Sequence, residues 1–343
     1  MINNMTNNRR VYLVPFDWDN FKGNHTAMGS YLADKLASDF SCVKVIKMHE
    51  YSNYYAKFIN LFKVLIIAFY LSIRLKKDDK VFLMEYMGRS SFHVELARIL
   101  RFLRPHAIIY GMVHLPGPFM IELNKTKENV AKRMSYIDKC IVLGSSLEKF
   151  LKEEIGYLNV VTTFHYVDTD YYKPILDKVY KTPLSVISIG ATKRNFSLLR
   201  KIVTSLPDVH FQICQGCNDL SQFFDGCNNV ELLGFMPEDE LLYRMQTCDI
   251  NLSVMEDTIG SNVITTSLAV GLILVVSDVG SIRDYCSENE SYLCKTQLDF
   301  IKTIEYLENH KEVIPEKRRQ AIKRGMTFSY NEFKKSFKKI VID

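Results

Sequence analysis

One stretch of the chain, from Cys248 to Tyr285, restricts the possible folds more than any other. It contains an apolar run at 249–254, a polar loop with a glycine, a helix pattern at 261–270 and a second apolar run at 272–276. Gly271 follows the helix pattern directly, in the position of a C-cap. Strand, short helix and strand in this order form a βαβ unit, which belongs in a parallel sheet. The helix N-terminus offers unpaired N–H groups and the positive end of a dipole, and both favour a bound phosphate.

The same alternation of apolar runs and helix patterns covers the rest of the chain. Further strands are predicted at 11–16, 43–48, 81–86, 107–113, 140–143, 160–166, 184–190, 209–214 and 230–233. A length of 343 residues favours two domains over one. Asp168, Asp170 and Pro174 are turn formers and indicate a linker between the two series of strands.

A longer pattern within the first stretch resembles a known family. The residues are Ala269-x-Gly271-Leu272, followed by Val275-Val276-Ser277-Asp278-x-Gly280. They are similar to the donor-binding segment of GT-B glycosyltransferases of the large retaining family, the glycosyl transferases group 1. The resemblance implies an α/β fold of the GT-B type, with two doubly wound parallel-sheet domains facing across a cleft. It implies an N-terminal acceptor-side domain at 1–167, a nucleotide-sugar-binding domain at 168–327, and a C-terminal helix at 328–343 that crosses back to the first domain.

The chain departs from the family at two positions of the donor site. The family usually carries two glutamates eight positions apart, one facing the donor sugar and one the nucleotide ribose. In an ungapped register those positions hold Thr258 and Thr266. A threonine makes a single hydrogen bond where a carboxylate would hold a ribose diol with two. This change leaves the fold expectation intact and predicts a weaker contact to the ribose than a glutamate would make.

Candidate donor-binding residues follow two predicted strands of the second domain. Lys193 and Arg194 come just after Gly190, where the family supplies a basic pair to the donor diphosphate. The other candidates are Ser261, Asn262, Thr265 and Thr266 at the start of the 261–270 helix. The alternative for Lys193 and Arg194 is a pair of solvated charges.

Two further candidate sites lie in the first domain. His114 stands at the carboxyl end of a predicted central strand, where open sheets bind ligands. The resemblance implies a catalytic or sugar-positioning role for it near the donor sugar; the alternative is a structural loop histidine. Gly23 and Asn24 lie in a polar loop after the first strand, which the family places along the cleft. For these two the alternative is a turn residue and a helix cap.

Charge is unevenly distributed along the chain. Residues 1–165 carry 23 Lys and Arg against 15 Asp and Glu, a balance of +8, whereas residues 166–343 carry 21 against 24, a balance of −3. A basic first half suits an anionic membrane surface or an anionic acceptor. No nucleic-acid-binding pattern accompanies it. The apolar stretch 58–73 is shorter than the roughly 20 residues of a membrane span and predicts a buried or surface-docked helix.

The cysteines and the absence of a signal peptide pattern predict a cytoplasmic protein, at the inner face of the membrane if it contacts one. The eight cysteines are scattered, and Cys42, Cys140 and Cys248 sit in apolar runs that suit reduced thiols. Cys214 and Cys217 form a CxxC with no second pair to complete a zinc site. We expect neither metal nor cofactor, the nucleotide sugar being a substrate.

The function implied by the resemblance is transfer of a hexosyl group from a nucleotide-sugar donor to a glycan or lipid-linked acceptor. The setting would be the assembly of cell-surface polysaccharide or glycolipid, and the mechanism metal-independent and retaining. Two alternatives remain open. One is another GT-B enzyme such as a sugar-nucleotide epimerase, which needs carboxylate acid–base groups. The other is a non-catalytic GT-B-like partner or glycan-binding protein that has lost the paired glutamates.

Overall fold

The computed structural model describes residues 9–18, 25, 29–49, 56–88, 91–176, 178, 180 and 183–343. The predicted cleft-loop residues Gly23 and Asn24 lie outside the described residues. The chain forms two compact units. Unit 1 comprises the residues up to Phe164 together with Phe333–Asp343, and unit 2 comprises His165–Glu332.

Unit 1 alternates strands and helices along the chain. Its strands are β1 (Val11–Val14), β2 (Phe16–Asp17), β3 (Val43–Val45), β4 (Met48–His49), β5 (Lys80–Tyr86), β6 (Ile108–Val113), β7 (Lys139–Val142) and β8 (Val160–Thr162). Its helices are α1 (Ser30–Asp39), α2 (Ala56–Arg74), α3 (His93–Leu103), α4 (Gly117–Asn124), α5 (Lys127–Met134) and α6 (Ser145–Glu153).

Unit 2 repeats the alternation. Its strands are β9 (Ser185–Ile189), β10 (His210–Gly216), β11 (Val230–Gly234), β12 (Ile250–Ser253), β13 (Ile273–Ser277) and β14 (Ser291–Cys294). Its helices are α7 (Phe196–Ser205), α8 (Ser221–Phe224), α9 (Glu238–Thr247), α10 (Asn262–Val270), α11 (Ile282–Tyr285), α12 (Gln297–Asn309) and α13 (Ile314–Met326). Helix α14 (Tyr330–Phe337) then leads back into unit 1.

Each unit is built on a parallel sheet. Among the described residues, unit 1 has a six-stranded sheet in the order β3-β1-β5-β6-β7-β8 and unit 2 a six-stranded sheet in the order β11-β10-β9-β12-β13-β14. All pairings within these two sheets are parallel. The strand order reverses between β1 and β5 in unit 1, and between β9 and β12 in unit 2. Ligands of such sheets bind outside the carboxyl ends of the strands at these reversals.

The strands form where the sequence is continuously apolar, because helices cover both faces of a parallel sheet. Every residue of β13 is buried, and Ile250, Ile273 and Val275 share one core cluster of unit 2. The βαβ prediction for this stretch is confirmed: α10 covers 262–270 and ends at Gly271 in the left-handed conformation, φ 80°.

Three predicted strands of unit 1, at 11–16, 43–48 and 160–166, are shorter than the sequence indicated, and the second of them ends at Val45. The run 11–16 is interrupted at Pro15, which has no N–H for the ladder, so β2 pairs with β4 in a separate two-stranded sheet. The run 160–166 is a strand only to Thr162, because the chain then leaves β7.

The C-terminal residues complete the core of unit 1. Phe333 and Phe337 of α14 are buried, and the Phe337 ring stacks on Phe82 of β5 with centroids 6.2 Å apart. In the π-helical turn that follows, the carbonyl of Val341 accepts a hydrogen bond of 2.6 Å from Lys80 Nζ. The apolar face of this helix therefore packs against the sheet of unit 1.

Candidate functional sites

The strand reversal of unit 2 gathers most of the predicted donor-binding residues at one edge of the sheet. Strands β9 and β12 are adjacent, with Val186 paired to Ile250 and Ile187 to Asn251. Gly190, Lys193 and Arg194 follow the carboxyl end of β9, and the loop to α10 follows that of β12. The two segments also pair with each other beyond the strands: Asn195 N–H donates to Val254 O at 3.0 Å, and Glu256 N–H donates to Lys193 O at 2.9 Å.

Arg194 is a partly buried cation held against the end of β9. Its Nε and Nη2 donate to the carbonyl of Ile189 at 3.2 and 3.1 Å. Gly190 makes this possible, because it adopts φ 95° and a Cβ there would lie 3.0 Å from Arg194 Nη2. Burial lowers the pKa of Arg194 to about 10, so the group stays charged at neutral pH. A guanidinium has five N–H donors, and the Ile189 carbonyl occupies two.

No carboxylate in the described part of the chain forms an ion pair with Arg194. This is the unusual property of the site, because charges that are partly removed from water are normally paired. A guanidinium with spare donors at the edge of a sheet is suited to a carboxylate or phosphate oxygen supplied by a ligand.

The N-terminus of α10 supplies the second group of donors at this edge. Ser261 is the N-cap, and its Oγ accepts from the Ile264 N–H at 3.4 Å. Within the described residues, the N–H groups of Asn262 and Val263 make no hydrogen bond. The Asn262 side chain adds an Oδ1 that is buried and has no hydrogen-bond partner there. These groups, with the positive end of the helix dipole, can receive an anion and a neighbouring hydroxyl.

The loop before α10 is fixed by tight packing. Gly260 has φ 91°, and a Cβ at this position would lie 2.2 Å from the ring of Tyr285. Thr258 lies in the same loop, with its carbonyl accepting from Ser281 N–H at 2.7 Å and its Oγ1 accepting from Gly260 N–H at 3.1 Å. A loop held in this way presents the helix N-terminus without a further ordering cost.

The two threonines at the family's glutamate positions turn their hydroxyls into the protein. Thr266 is 3% exposed and donates to Asn262 O at 2.7 Å. The neighbouring Thr265 is fully buried and donates to the same carbonyl at 3.1 Å. The structure thus locates Thr258, Thr265 and Thr266 close to the α10 N-terminus with their hydroxyls engaged, and leaves their role toward a nucleotide as a prediction.

Glu256 is a residue of this edge that the ungapped register missed. It lies two positions before Thr258, is exposed, and is tied to Lys193 through its backbone. The signal available in the sequence was its short distance from the apolar strand 249–254.

Unit 1 has a cavity of about 220 Å³ at the carboxyl ends of β5 and β6. Its walls are mainly aromatic and aliphatic, and they are formed by Trp18, Tyr86, Gly88, Leu115, Phe119 and Leu123. Glu85 and His114 contribute a carboxyl group and an imidazole to the lining. An apolar pocket with a few convergent polar groups is typical of a small-molecule site.

Glu85 and His114 form a close pair in this cavity. His114 Nε2 donates to the carbonyl of Met84 at 2.8 Å and lies 3.6 Å from Glu85 Oε1. The Glu85 side chain is 16% exposed and the His114 side chain is 15% exposed. Burial raises the pKa of Glu85, and the nearby His114 opposes that shift. A carboxyl group with a raised pKa next to an imidazole can bind a substrate hydroxyl and exchange a proton with it.

His93 contacts the backbone of Glu85 and so helps to position this pair. Its Nδ1 accepts the backbone N–H of Glu85 at 3.2 Å, and its side chain is fully buried. Burial lowers the pKa of His93 to about 3, so the ring is neutral in the folded protein near pH 7. Nε2 therefore carries the proton, and this buried N–H has no hydrogen-bond partner among the described residues.

Sequence reasoning identified His114 but neither of its neighbours. Glu85 lies within an apolar run and His93 begins a helix, so the sequence pattern marks both only as parts of regular elements. The detectable signal was a lone carboxylate at the carboxyl end of an otherwise apolar strand.

Metal and thiol chemistry have no clear site in the described part of the chain. No group of three or more His, Cys, Asp and Glu side chains there is arranged to hold a metal ion. The eight cysteines all lie in that part, and none forms a disulfide. Cys214 is buried, and burial raises its pKa to about 12.

Comparison with known proteins shows the fold. No protein-family model matches the sequence, and no curated protein matches it. Among solved structures, sucrose-phosphate synthase from Thermosynechococcus elongatus is similar with a TM-score of 0.77 at 11% identity, covering 97% of this chain and 98% of that chain. HepE from Anabaena, in complex with UDP and glucose, has a TM-score of 0.74 at 11% identity, covering 97% and 100%. The lipopolysaccharide outer core galactosyltransferase WaaB has a TM-score of 0.68 at 12% identity, covering 97% and 99%.

The predicted GT-B fold is confirmed. These solved structures are GT-B glycosyltransferases, and each is matched over nearly its whole length. At sequence identities of 11–12%, the structural similarity establishes the fold alone.

Proposed function

We propose that this protein is a glycosyltransferase that moves a hexosyl group from a nucleotide-sugar donor to a glycan or lipid-linked acceptor. The reaction would serve the assembly of cell-surface polysaccharide or glycolipid. Solved structures of the same fold support the donor class, since HepE was determined with UDP and with UDP-glucose. Retention of the anomeric configuration is proposed from the resemblance to the retaining family.

The observation that carries the proposal is the partly buried Arg194 at the strand reversal of unit 2, which has no carboxylate partner among the described residues. Its spare N–H donors and the N–H groups of Asn262 and Val263 stand at the carboxyl ends of adjacent strands. A diphosphate is the ligand that satisfies this set, because it brings several anionic oxygens at once.

The same groups would assist the chemical step. As the glycosidic bond to the donor breaks, the departing nucleoside diphosphate gains negative charge. Arg194, Lys193 and the α10 N-terminus would stabilise that charge, which lets the proposed transfer proceed without a metal ion or cofactor. Removing one such preorganised donor typically raises a barrier by about 2.7–4 kcal/mol.

The cavity of unit 1 is proposed to receive the acceptor. Its apolar walls suit the face of a sugar ring or an attached apolar group, and Glu85 and His114 would hold the reacting hydroxyl. In this assignment His114 is a catalytic residue, because it touches the substrate.

Contact with an anionic membrane surface at the cytoplasmic face is proposed as part of this function. No helix in the described part of the chain is long and apolar enough to cross a membrane. The basic balance of residues 1–165 supports peripheral contact, and a lipid-linked acceptor would require it.

Calorimetric titration with a panel of nucleoside diphosphates, UDP first, tests the proposal. Wild type is expected to bind at least one of them. Arg194→Ala is expected to weaken that binding tenfold or more, because a charge-assisted hydrogen bond contributes about 1.5–3 kcal/mol. Arg244→Ala is the matched control: Arg244 lies in unit 2 but is paired with Glu231 at 3.3 Å, and its loss is expected to leave the affinity unchanged.

If wild type binds no member of the panel, the transferase proposal fails. A non-catalytic GT-B-like partner then becomes the better explanation. If Arg194→Ala and Arg244→Ala bind equally well, a nucleotide binds elsewhere and the assignment of Arg194 is wrong.

A further inference from the structure

Helix α2 carries two apolar faces, and one of them is exposed to solvent. Val64, Ala68 and Leu71 on one face are fully buried, and the helix packs beside α3. The opposite face consists of large apolar side chains that are 40–73% exposed: Phe58, Leu61, Phe62, Leu65, Ile66, Phe69, Tyr70 and Ile73. We call these eight residues the α2 stripe. A helix packed on a domain normally shows polar residues on its outer face, so the stripe needs a physical explanation.

The stripe is continuous and long. Its members recur at spacings of three and four residues, which aligns them along one side of the helix for about 22 Å. Phe102 and Leu103, which are 84% and 42% exposed, lie at the end of α3. That end adjoins the end of α2, because Arg104 Nη2 donates to Leu75 O at 2.7 Å. Contiguous apolar surface of this extent marks an interaction site.

The surroundings of the stripe are basic. The sequence contains no Asp or Glu between residues 56 and 77. Arg74, Lys76 and Lys77 at the end of α2 are exposed, and so are Arg98 and Arg104 on and after α3. The stripe therefore combines an aromatic and aliphatic face with a margin of positive charge.

This charge pattern decides between possible occupants. A second copy docked about a two-fold axis would place the same patch against itself, so basic margins would face each other. An anionic bilayer instead offers acyl chains to the apolar side chains and phosphate headgroups to the arginines and lysines. The phenylalanines and the tyrosine suit the boundary between headgroups and chains.

We propose that the α2 stripe inserts into the surface of a bilayer that contains anionic lipid, with helix α2 lying in the plane of the interface. The proposal deepens the membrane contact proposed above and rests on it for the choice of lipid. It adds the surface and the mode of binding. Electrostatic attraction alone would be lost in salt, whereas an inserted apolar face keeps a salt-resistant part of the affinity.

Vesicle co-sedimentation of the full chain tests the surface. Wild type is expected to bind vesicles of phosphatidylcholine with phosphatidylglycerol, and to keep measurable binding at high salt. The triple variant Phe62→Ser, Ile66→Ser, Phe69→Ser is expected to lose about a hundredfold in partitioning. Arg74→Glu with Lys77→Glu is expected to lose about fivefold per residue, and only at low salt.

A matched control comes from unit 2. Phe235, Tyr243 and Leu298 are 50%, 63% and 54% exposed, and their replacement by serine removes a similar apolar area. This control is expected to bind vesicles as wild type does. Thermal melting confirms that each variant is folded, and calorimetry with a nucleoside diphosphate is expected to give the wild-type affinity for the stripe variant. Failure of nucleotide binding in wild type would count against the transferase proposal and leave the stripe proposal standing.

Insertion is measured directly with Phe69→Trp. Its fluorescence is expected to be quenched by lipids brominated near the headgroup more strongly than that of wild type, whose single tryptophan is Trp18. Equal vesicle binding by wild type and the stripe variant would overturn the proposal. So would a wild-type dimer in light scattering that the stripe substitutions dissolve, since the occupant would then be a second copy.

Discussion

The two units use the same sheet edge for opposite electrostatic purposes. In unit 2 the strand reversal holds a partly buried cation with spare donors and a helix N-terminus, and both attract an anion. In unit 1 the corresponding edge holds a mainly apolar cavity with an imidazole and with a carboxyl group whose pKa is raised by burial. A shared architecture therefore positions a site without deciding its chemistry, which is set by a few side chains that follow the strands.

The contrast predicts that the two edges can be disabled separately. Substitutions in unit 2 should act on nucleotide affinity, and substitutions in unit 1 should act on turnover and on pH dependence.

The largest expected effect is that of His114→Ala. Loss of a group that binds the reacting hydroxyl is expected to lower kcat by about 100-fold or more. Nucleotide affinity and melting temperature should stay close to wild type, because the side chain is at a cavity surface. His106→Ala, at an exposed histidine of the same unit, is the control for steady-state kinetics and calorimetry. Early melting with normal activity per folded molecule would make His114 a structural residue.

His93 should make the fold sensitive to acid. Its pKa of about 3 in the folded state lies below the ordinary 6.5, so only the unfolded chain takes up this proton as pH falls from 6.5 toward 3. The free energy of unfolding therefore has its full value above pH 6.5 and falls on acidification, by about 2 kcal/mol at pH 5. His93→Asn keeps an acceptor for the Glu85 N–H and should remove most of this loss in denaturant unfolding at pH 7 and pH 5. An unchanged pH dependence in this variant, equal to that of His106→Asn, would contradict the neutral state assigned to His93.

Glu85→Gln should separate charge from shape in the unit 1 cavity. The raised pKa of Glu85 places its ionisation above the usual carboxyl range. Activity that needs the carboxylate is therefore expected to rise at pH values above that range. The amide is expected to lower kcat/KM about tenfold and to abolish this limb of the pH–rate profile. A variant profile with the same limb would assign it to another group.

Thr266→Glu is expected to have the smallest effect, a gain of about threefold to tenfold in nucleotide affinity. It restores the family's usual residue, but the carboxylate must extend from a nearly buried position. Thr204→Glu is the matched control, because Thr204 also donates to the carbonyl four residues earlier in a unit 2 helix, at 3.0 Å. Equal affinity for Thr266→Glu, Thr204→Glu and wild type would show that position 266 does not contact the ribose.

The sequence predicted well those helices and strands whose apolar residues recur regularly. It predicted poorly which side chains contact each other in the folded protein. The βαβ unit at 248–285 could be derived because apolar runs, a cap and a glycine all agree. The pairing of Glu85 with His114 could not, because the two residues come from different strands and meet only when β5 and β6 align. The contact of Arg194 with the Ile189 carbonyl was equally hidden, since a sequence shows a basic pair but not which member bonds to the end of the strand.

The return of residues 333–343 to unit 1 has a consequence for how the protein is made. Phe82 and Lys80 precede unit 2 in the chain, yet their partners Phe337 and Val341 are synthesised only after the whole of unit 2. During translation, unit 2 has all of its sequence before unit 1 does, and the sheet of unit 1 must wait with an uncovered apolar face. The half of the molecule that leaves the ribosome first is thus the half that finishes folding last.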